Sequence, residues 1–355
     1  MELAIIIDYL IISIAASMAV NSILQNYAKQ YNLLIDLPDR SRKFHNRPTP
    51  LTGGIGIFIS LLISGKLYID LNDLNGYMPN FSYQIIVISI PLVFLFLLDD
   101  IKGLKPYYRL MAQALACIYI IVTTGVYIES LGNLFGIGDV NLGILSIPFT
   151  VFCVVGVMNA FNMIDGINGL CSGCAMMALI LTGFYSGLIY DSMLILLIGS
   201  MMGFLLFNLT IFGKQRAVFL GDHGSNIIGF WVAWATIYAS QNTLYEVAPV
   251  TMVWFIAIPL LDCIALILSR IRRGISWSEP GRDHIHHKLM DKFSQDWSLL
   301  IILTLSLLAG LIGMYIEKNY STWVSTLLFI MFSAVYYLFT YYYDNAKASL
   351  LNENV

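Results

Sequence analysis

Apolar residues run in nearly unbroken stretches along the whole chain, and polar residues gather in the gaps between them. The stretches are 3–24, 52–70, 83–98, 107–128, 144–164, 170–190, 192–212, 224–241, 247–269, 297–316 and 320–342. About 20 consecutive apolar residues suffice to cross the hydrocarbon core as a helix. In lipid every backbone amide needs an internal partner, which a helix supplies. A β-barrel would show short alternating segments, and these runs do not alternate. The pattern therefore predicts an all-α, polytopic helical integral membrane protein with about eleven transmembrane helices. The shorter ones would be tilted or have half-buried ends. No repeat, low-complexity tract or linker divides the chain, so 1–355 reads as one integral domain.

Composition agrees. Hydrophobic residues make up 58% of the chain and charged residues 12%, against about 25% charged in soluble domains. A net charge of -3 says little about partners, and nothing points to nucleic acid. The placement of charge says more. Segments 25–51, 99–109, 213–217 and 270–296 hold nearly all Lys and Arg, with Lys66, Lys318 and Lys347 outside them. An odd number of spans puts those segments on one side, and the positive-inside rule makes that side cytoplasmic. Met1–Ser22 reads as a first span, because no small-residue cleavage site follows it. Cys171 and Cys174 form a C-x-x-C, but no second pair or His lies near it in sequence. Burial as small apolar residues is the simpler account of both.

Ionisable residues are costly inside a bilayer, so where they gather is informative. Five clusters stand out. The first runs from Asp36 through Lys43, His45 and Arg47 into Pro48-Thr-Pro-Leu-Thr-Gly53-Gly54. Glycines at a helix start allow close approach to the backbone, and helix N-termini favour anions. The second is Asp99-Asp100, two carboxylates at a helix C-terminus, where the dipole disfavours them. A site needing carboxylates for Mg²⁺ or for proton abstraction explains that cost. The third, Asn159, Asn162, Asp165-Gly166 and Asn168, interrupts an apolar run without any basic residue. The fourth is Gly221-Asp222-His223-Gly224-Ser225, where Asp222 or Ser225 could also be a helix cap. The fifth is Arg282-Asp283-His284-Ile285-His286-His287-Lys288, suited to phosphate or, less well, to zinc. Asp262, inside an apolar run, is expected to pair locally with Arg270.

In this order the clusters resemble the polyprenyl-phosphate N-acetylhexosamine-1-phosphate transferases. They are most similar to the bacterial members that load GlcNAc-1-phosphate onto undecaprenyl phosphate to begin O-antigen and other surface polysaccharides. The K-x-H-x-x-P-T-P-x-x-G-G pattern is Lys43 to Gly54, and the Asp-Asp pair is Asp99-Asp100. N-x-x-N-x-x-D-G is Asn159 to Gly166, G-D-x-G-S ends in Asp222 to Ser225, and H-I-H-H is His284 to His287. Lys288 follows those histidines where the related muramoyl-pentapeptide transferases have an acidic residue.

The resemblance implies attack by a lipid phosphate on the β-phosphorus of a UDP-sugar, with UMP released. It implies Mg²⁺, with Mn²⁺ an alternative, near Asp222 and Asn162. Asp99 would deprotonate or orient the acceptor phosphate, with Asp100 assisting. Lys43, His45, Asn159, Asn162, Asp165, Asn168, Ser225, Arg282, His284, His286 and His287 would hold the substrates. The partners would be a UDP-sugar, a polyprenyl phosphate and the bilayer, with a homodimer compatible. The site would be built from 25–51, 99–106, 213–222 and 270–296 on the cytoplasmic face of a bacterial inner membrane. Two residues depart from the pattern. Asn168 stands where bacterial relatives usually have Asp, and His223 stands where a small residue is usual. An ion-coupled transporter would instead place its charges near the midplane, often within inverted repeats.

Overall fold

The computed structural model describes residues 2–38, 47–71, 80–242, 247–276, 281 and 283–353. These form a helical bundle. In chain order the helices are α1 (Glu2–Tyr31), α2 (Gly53–Leu71), α3 (Asn80–Lys102), α4 (Pro106–Thr124), α5 (Ser146–Ile164), α6 (Leu170–Ser186) and α7 (Ser192–Asn208). They continue as α8 (Asp222–Gln241), α9 (Pro249–Phe255), α10 (Ala257–Arg272), α11 (Ile285–Met290), α12 (Gln295–Asn319) and α13 (Thr322–Glu353). Among the described residues the only strands are the two-residue pair β1 (Ile35–Asp36) and β2 (Thr49–Pro50), which run antiparallel. The all-α membrane class is thus observed.

Length and composition do not confirm the count of eleven spans. Among the described residues seven helices are long and apolar enough to cross a membrane, or eight if the bent pair α9–α10 is one span. That pair turns by 82° at Ile256. Helices α6 and α7 have 17 residues each, and Gly187, at φ 81°, ends α6 before the expected position 190. Helix α8 is long enough but carries His223, Ser225, Asn226 and Thr236, all buried. It can do so because protein rather than lipid surrounds it. The ends of α1 and α13 differ in the other direction. Both continue as helices past the apolar stretch, to Tyr31 and Glu353, because polar residues outside the lipid need not stop a helix.

Helix α8 is the central element. It packs against α2, α3, α5 and α6, with Phe230 and Trp234 fully buried. Trp231 Nε1 donates to Ser89 Oγ on α3 at 2.9 Å. A Cβ at Gly229 would lie 2.8 Å from Met158 Cα, so glycine sets the α5–α8 approach. Small residues also seat α1 on α7, as is usual between helices in lipid. Gly199 and Gly203 face Ser13 and Ser17, and Ser17 Oγ donates to the Ser200 carbonyl at 2.7 Å.

Candidate active site

The C-terminal ends of α3 and α5 and the N-terminal ends of α4 and α8 converge at one end of this bundle. The segment after β2 pairs with the chain entering α8. Gly53 N donates to the Phe219 carbonyl, and Gly54 N to that of Leu220, both at 2.9 Å. A Cβ on Gly54 would sit 2.2 Å from Gly224 Cα. The glycines of the first and fourth motifs are therefore a contact surface between them, and β-carbons there would force α2 and α8 apart.

Arg109, in the first turn of α4, lies at the centre. Its Nε is 3.3 Å from Asp99 Oδ2 and its Nη1 is 3.7 Å from Asp222 Oδ2. Its Nη2 donates to Asn162 Oδ1 at 3.1 Å. Asn162 Nδ2 in turn donates to Asp222 Oδ1 at 3.2 Å and to Ser225 Oγ at 2.9 Å. Asn159 joins through a relay. It donates to Gln113 Oε1 at 2.9 Å, Gln113 donates to Asn226 Oδ1 at 2.7 Å, and Asn226 donates to the Asp222 carbonyl at 2.8 Å.

The three carboxylates differ in commitment. Asp99 is buried, and its Oδ1 accepts from Leu104 N at 2.6 Å. Asp100 accepts from Asp222 N at 3.0 Å and lies 2.5 Å from His223 Nδ1. Only Asp222 is substantially open, with 48% of its side chain exposed. The histidine loop closes one flank. His286 is buried beside Gly166, where a Cβ would meet its Nε2 at 2.0 Å. The His286 ring stacks on His284 at 5.4 Å, with His287 at 4.1 Å from it. Burial, then the neighbouring His287 and His284, push the His286 imidazole down to about 3. At neutral pH it offers hydrogen bonds rather than charge.

Residues 82–240 match glycosyl transferase family 4. Curated relatives named undecaprenyl-phosphate alpha-N-acetylglucosaminyl 1-phosphate transferase align over most of the chain. The Yersinia pestis protein is 33% identical over 313 residues, covering 85% of this chain and 83% of its own length. That of Escherichia coli strain K12 is 34% identical over 308 residues, covering 84% and 81%. The Haemophilus influenzae protein is 32% identical over 319 residues, covering 87% and 86%. The chain belongs to glycosyl transferase family 4.

Within this family 4 transferase, most of the residues singled out in the sequence come together. Asp99, Asp100, Asn159, Asn162, Asp222 and Ser225 form one hydrogen-bonded network with Arg109. Asp165 lies near enough to Asp222 and Asp100 to feel both charges. Asn168 sits half-buried in the turn between α5 and α6, and no hydrogen bond joins it to the network among the described residues. Lys43, His45 and Arg282 lie outside the described residues.

One sequence alternative falls away and one expectation changes. Asp222 and Ser225 do not cap α8 with their side chains. Gly221, at φ 78°, is the cap residue, and Ser225 is engaged by Asn162. Asp262 does not pair with Arg270. It meets His284 Nδ1 at 2.8 Å, while Arg270 reaches Asp283 at 3.3 Å. Asp262 and Arg270 stand about 12 Å apart along α10, too far for a direct pair, and His284 and Ile285 at the start of α11 meet Asp262 instead. The C-x-x-C cysteines are free and buried on α6, as expected of apolar packing.

Arg109 and His223 carry more of the site than their sequence positions suggest. Arg109 sits in a basic segment like several other arginines, so only its place just inside the N-terminus of α4, after Pro106, marked it. His223 is fully buried with its ring on Asp100, which accounts for a large residue where a small one is usual.

Burial, followed by the charges of Asp222 and Asp100, pushes the Asp165 carboxyl from its ordinary value of 3.8 up to about 8. The native state then holds this proton to higher pH than the unfolded chain. The stabilisation is complete below about pH 4 and is lost as pH rises through 8. Without divalent cations, the apparent thermal midpoint in detergent should fall between pH 6 and 8.5, and Asp165→Asn should flatten that fall. An unchanged slope in the variant would remove Asp165 from this account.

Proposed function

We propose that this chain transfers N-acetylglucosamine 1-phosphate from UDP-N-acetylglucosamine to undecaprenyl phosphate, releasing UMP, at the cytoplasmic face of a bacterial inner membrane. The observation that carries the reading is the convergence of carboxylates, amides and Arg109 from α3, α4, α5 and α8 at one end of the bundle. The names of the relatives concern this sugar phosphate and this lipid. The described parts of the basic segments that the positive-inside rule assigns to the cytoplasm border the same end.

Two polyanions must meet, so charge neutralisation and positioning dominate. A phosphomonoester is largely dianionic at neutral pH, with a second pKa near 6. The attacking oxygen of the acceptor therefore needs no strong base. It attacks the β-phosphorus of the donor, and the bond from that phosphorus to the bridging oxygen breaks. UMP leaves with that oxygen, and the lipid retains a pyrophosphate.

Asp99, expected to deprotonate or orient the acceptor, keeps the orienting role in this reading. It acts through Arg109, which is placed to bind a phosphate. Asp100 ties the end of α3 to the start of α8. Asn159 and Ser225 hold Asn162 and Asp222 in register, Asp165 and Asn168 border the nucleotide, and His284, His286 and His287 face the phosphates with Lys43, His45 and Arg282.

Mg²⁺ or Mn²⁺ fits the residues present. The half-open carboxylate of Asp222 stands within reach of the Asp100 charge, a repulsion that a divalent cation relieves. Asp222 and Asn162 would hold it, and it would supply neutralisation of the donor pyrophosphate. A single chain brings the described site residues together, so the reading needs no second copy.

The test is the nucleotide product. Purified protein with labelled UDP-N-acetylglucosamine, undecaprenyl phosphate and Mg²⁺ should release UMP, and labelled UMP should exchange back into the donor because one pyrophosphate replaces another. UDP as the first product, with phosphatases excluded, would mean cleavage at the anomeric carbon and would end this reading.

A further inference from the structure

Asp262 is an acidic residue in a helix that belongs to a bent span, and it is 3% exposed. A carboxylate at such a depth is expensive unless it is fully paired. Here three donors from two elements, the start of α11 and α13, converge on it. His284 Nδ1 lies 2.8 Å from Oδ2. Ile285 N, in the first turn of α11, donates to Oδ1 at 2.9 Å. The Tyr336 hydroxyl of α13 donates to Oδ1 at 3.0 Å. The 82° bend between α9 and α10 sets the direction of the helix that carries the carboxylate.

We propose that Asp262 is a positioning residue for His284. The proposal rests on the reading of the reaction given above and extends it to a residue buried beneath the phosphate-facing loop. A carboxylate on Nδ1 keeps the proton there and leaves Nε2 as the nitrogen that can accept a hydrogen bond from a protonated phosphate oxygen or, once it has taken up that proton, donate one. Fixing this ring also fixes its neighbours. His286 is nearly parallel to His284, at 11° between planes, and abuts the Gly166 turn, where no side chain would fit. Asp262 thus sets one ring directly and, through ring packing, the flank of the site that follows Asp165. Removing the partner carboxylate of a catalytic histidine elsewhere has cost as much as about 10⁴-fold in turnover.

The experiment is a double-mutant cycle on the full-length protein, with kcat/KM for UDP-N-acetylglucosamine as readout. Asp262→Asn should cost at least about thirtyfold when His284 is present and less than about threefold in a His284→Ala background. A residue that merely holds the loop through Ile285 N and Tyr336 would cost the same in both backgrounds, and that result would overturn the proposal. So would a loss below threefold from Asp262→Asn alone. If Asp262→Asn does not reach the membrane, Tyr336→Phe, which removes one hydrogen bond and no charge, carries the same cycle with a smaller expected loss of three- to tenfold. ¹⁵N-histidine spectra of the detergent-solubilised protein give a readout independent of turnover. The His284 signals should change from the Nδ1-protonated pattern in Asp262→Asn, and an unchanged pattern counts against the proposal. Wild-type protein that releases no UMP would end the reading of the reaction. Wild-type turnover with equal losses in both backgrounds would end this proposal alone.

Discussion

Asp222→Asn should abolish transfer, by more than a hundredfold in kcat, while the protein reaches the membrane at its normal level. The substitution keeps the size of the side chain, and its amide oxygen can still accept from Asn162 Nδ2, now 3.2 Å from Asp222 Oδ1. The fold should therefore tolerate it. What disappears is the negative charge of the most open carboxylate in the network. The ion pair with Arg109, at 3.7 Å, is long and half-exposed, so its loss costs little stability. A hundredfold loss corresponds to about 2.7 kcal/mol of barrier. Charge that holds a cation against a pyrophosphate supplies that much readily. The assay is initial rate in washed membranes with saturating donor and Mg²⁺, normalised to the amount of protein. Retention of a tenth of the wild-type rate would be too much for the charge to matter in this way. Cys171→Ser is the companion control. Cys171 is buried on α6 and should leave the rate within about twofold, a size ordinary for a near-isosteric change away from the chemistry.

The bundle was readable in the sequence because a single physical constraint writes it. Lipid demands apolar helical runs, and all eleven runs contain helix. Which runs are full spans was harder to read. Helix α8 serves as the protein's own interior, so its polar face at Asn226 and His223 answers to α3 and α4 rather than to lipid. Helices α1 and α13 extend beyond the bilayer stretch because leaving lipid removes the demand for apolar residues without ending the helix. The acidic and amide residues of the site were visible for the opposite reason. Each sits where lipid or a helix dipole penalises it, so its presence asked for a use. Arg109 incurred no such penalty at the start of α4 and looked like any positive-inside residue. Asp262 did incur one, but its partner His284 is distant in sequence and reaches it only after the chain leaves α10 and returns at the start of α11. The nearest cation in sequence, Arg270, was the wrong choice because it lies beside Asp283. Sequence distance sets ion pairs between residues one turn apart on a helix and carries no such information two turns away or across a loop.

Removing Arg109 should be as damaging to activity as removing Asp222, with a cost in stability as well. Its guanidinium serves three groups at once: Nε faces Asp99, Nη1 faces Asp222 and Nη2 bonds Asn162. Arg109→Ala leaves Asp99, with 4% of its side chain exposed, holding a charge met, among the described residues, only by Leu104 N. Breaking a fully buried pair by deleting one partner costs about 3–5 kcal/mol. Arg109 is itself 22% exposed, so solvent screening brings the expected cost to the lower end of that range or below it. The apparent unfolding midpoint in detergent should drop by several degrees, and kcat/KM should fall at least about 10³-fold, or about 4 kcal/mol. Arg109→Lys separates charge from shape. An ammonium can pair with Asp99 but cannot fork to three acceptors in one plane. It should recover most of the midpoint while remaining about tenfold or more below wild type in rate. The decisive comparison is a double variant. Arg109→Gln leaves the Asp99 charge stranded, and adding Asp99→Asn removes it. Because an unpaired buried charge is worse than no charge, Asp99→Asn/Arg109→Gln should unfold at a higher temperature than Arg109→Gln, and both should be inactive. A double variant less stable than the single one would mean that the Asp99–Arg109 pair does not hold this end of α3 and α4 together. An Arg109→Ala protein retaining a tenth of wild-type turnover would remove the guanidinium from the site.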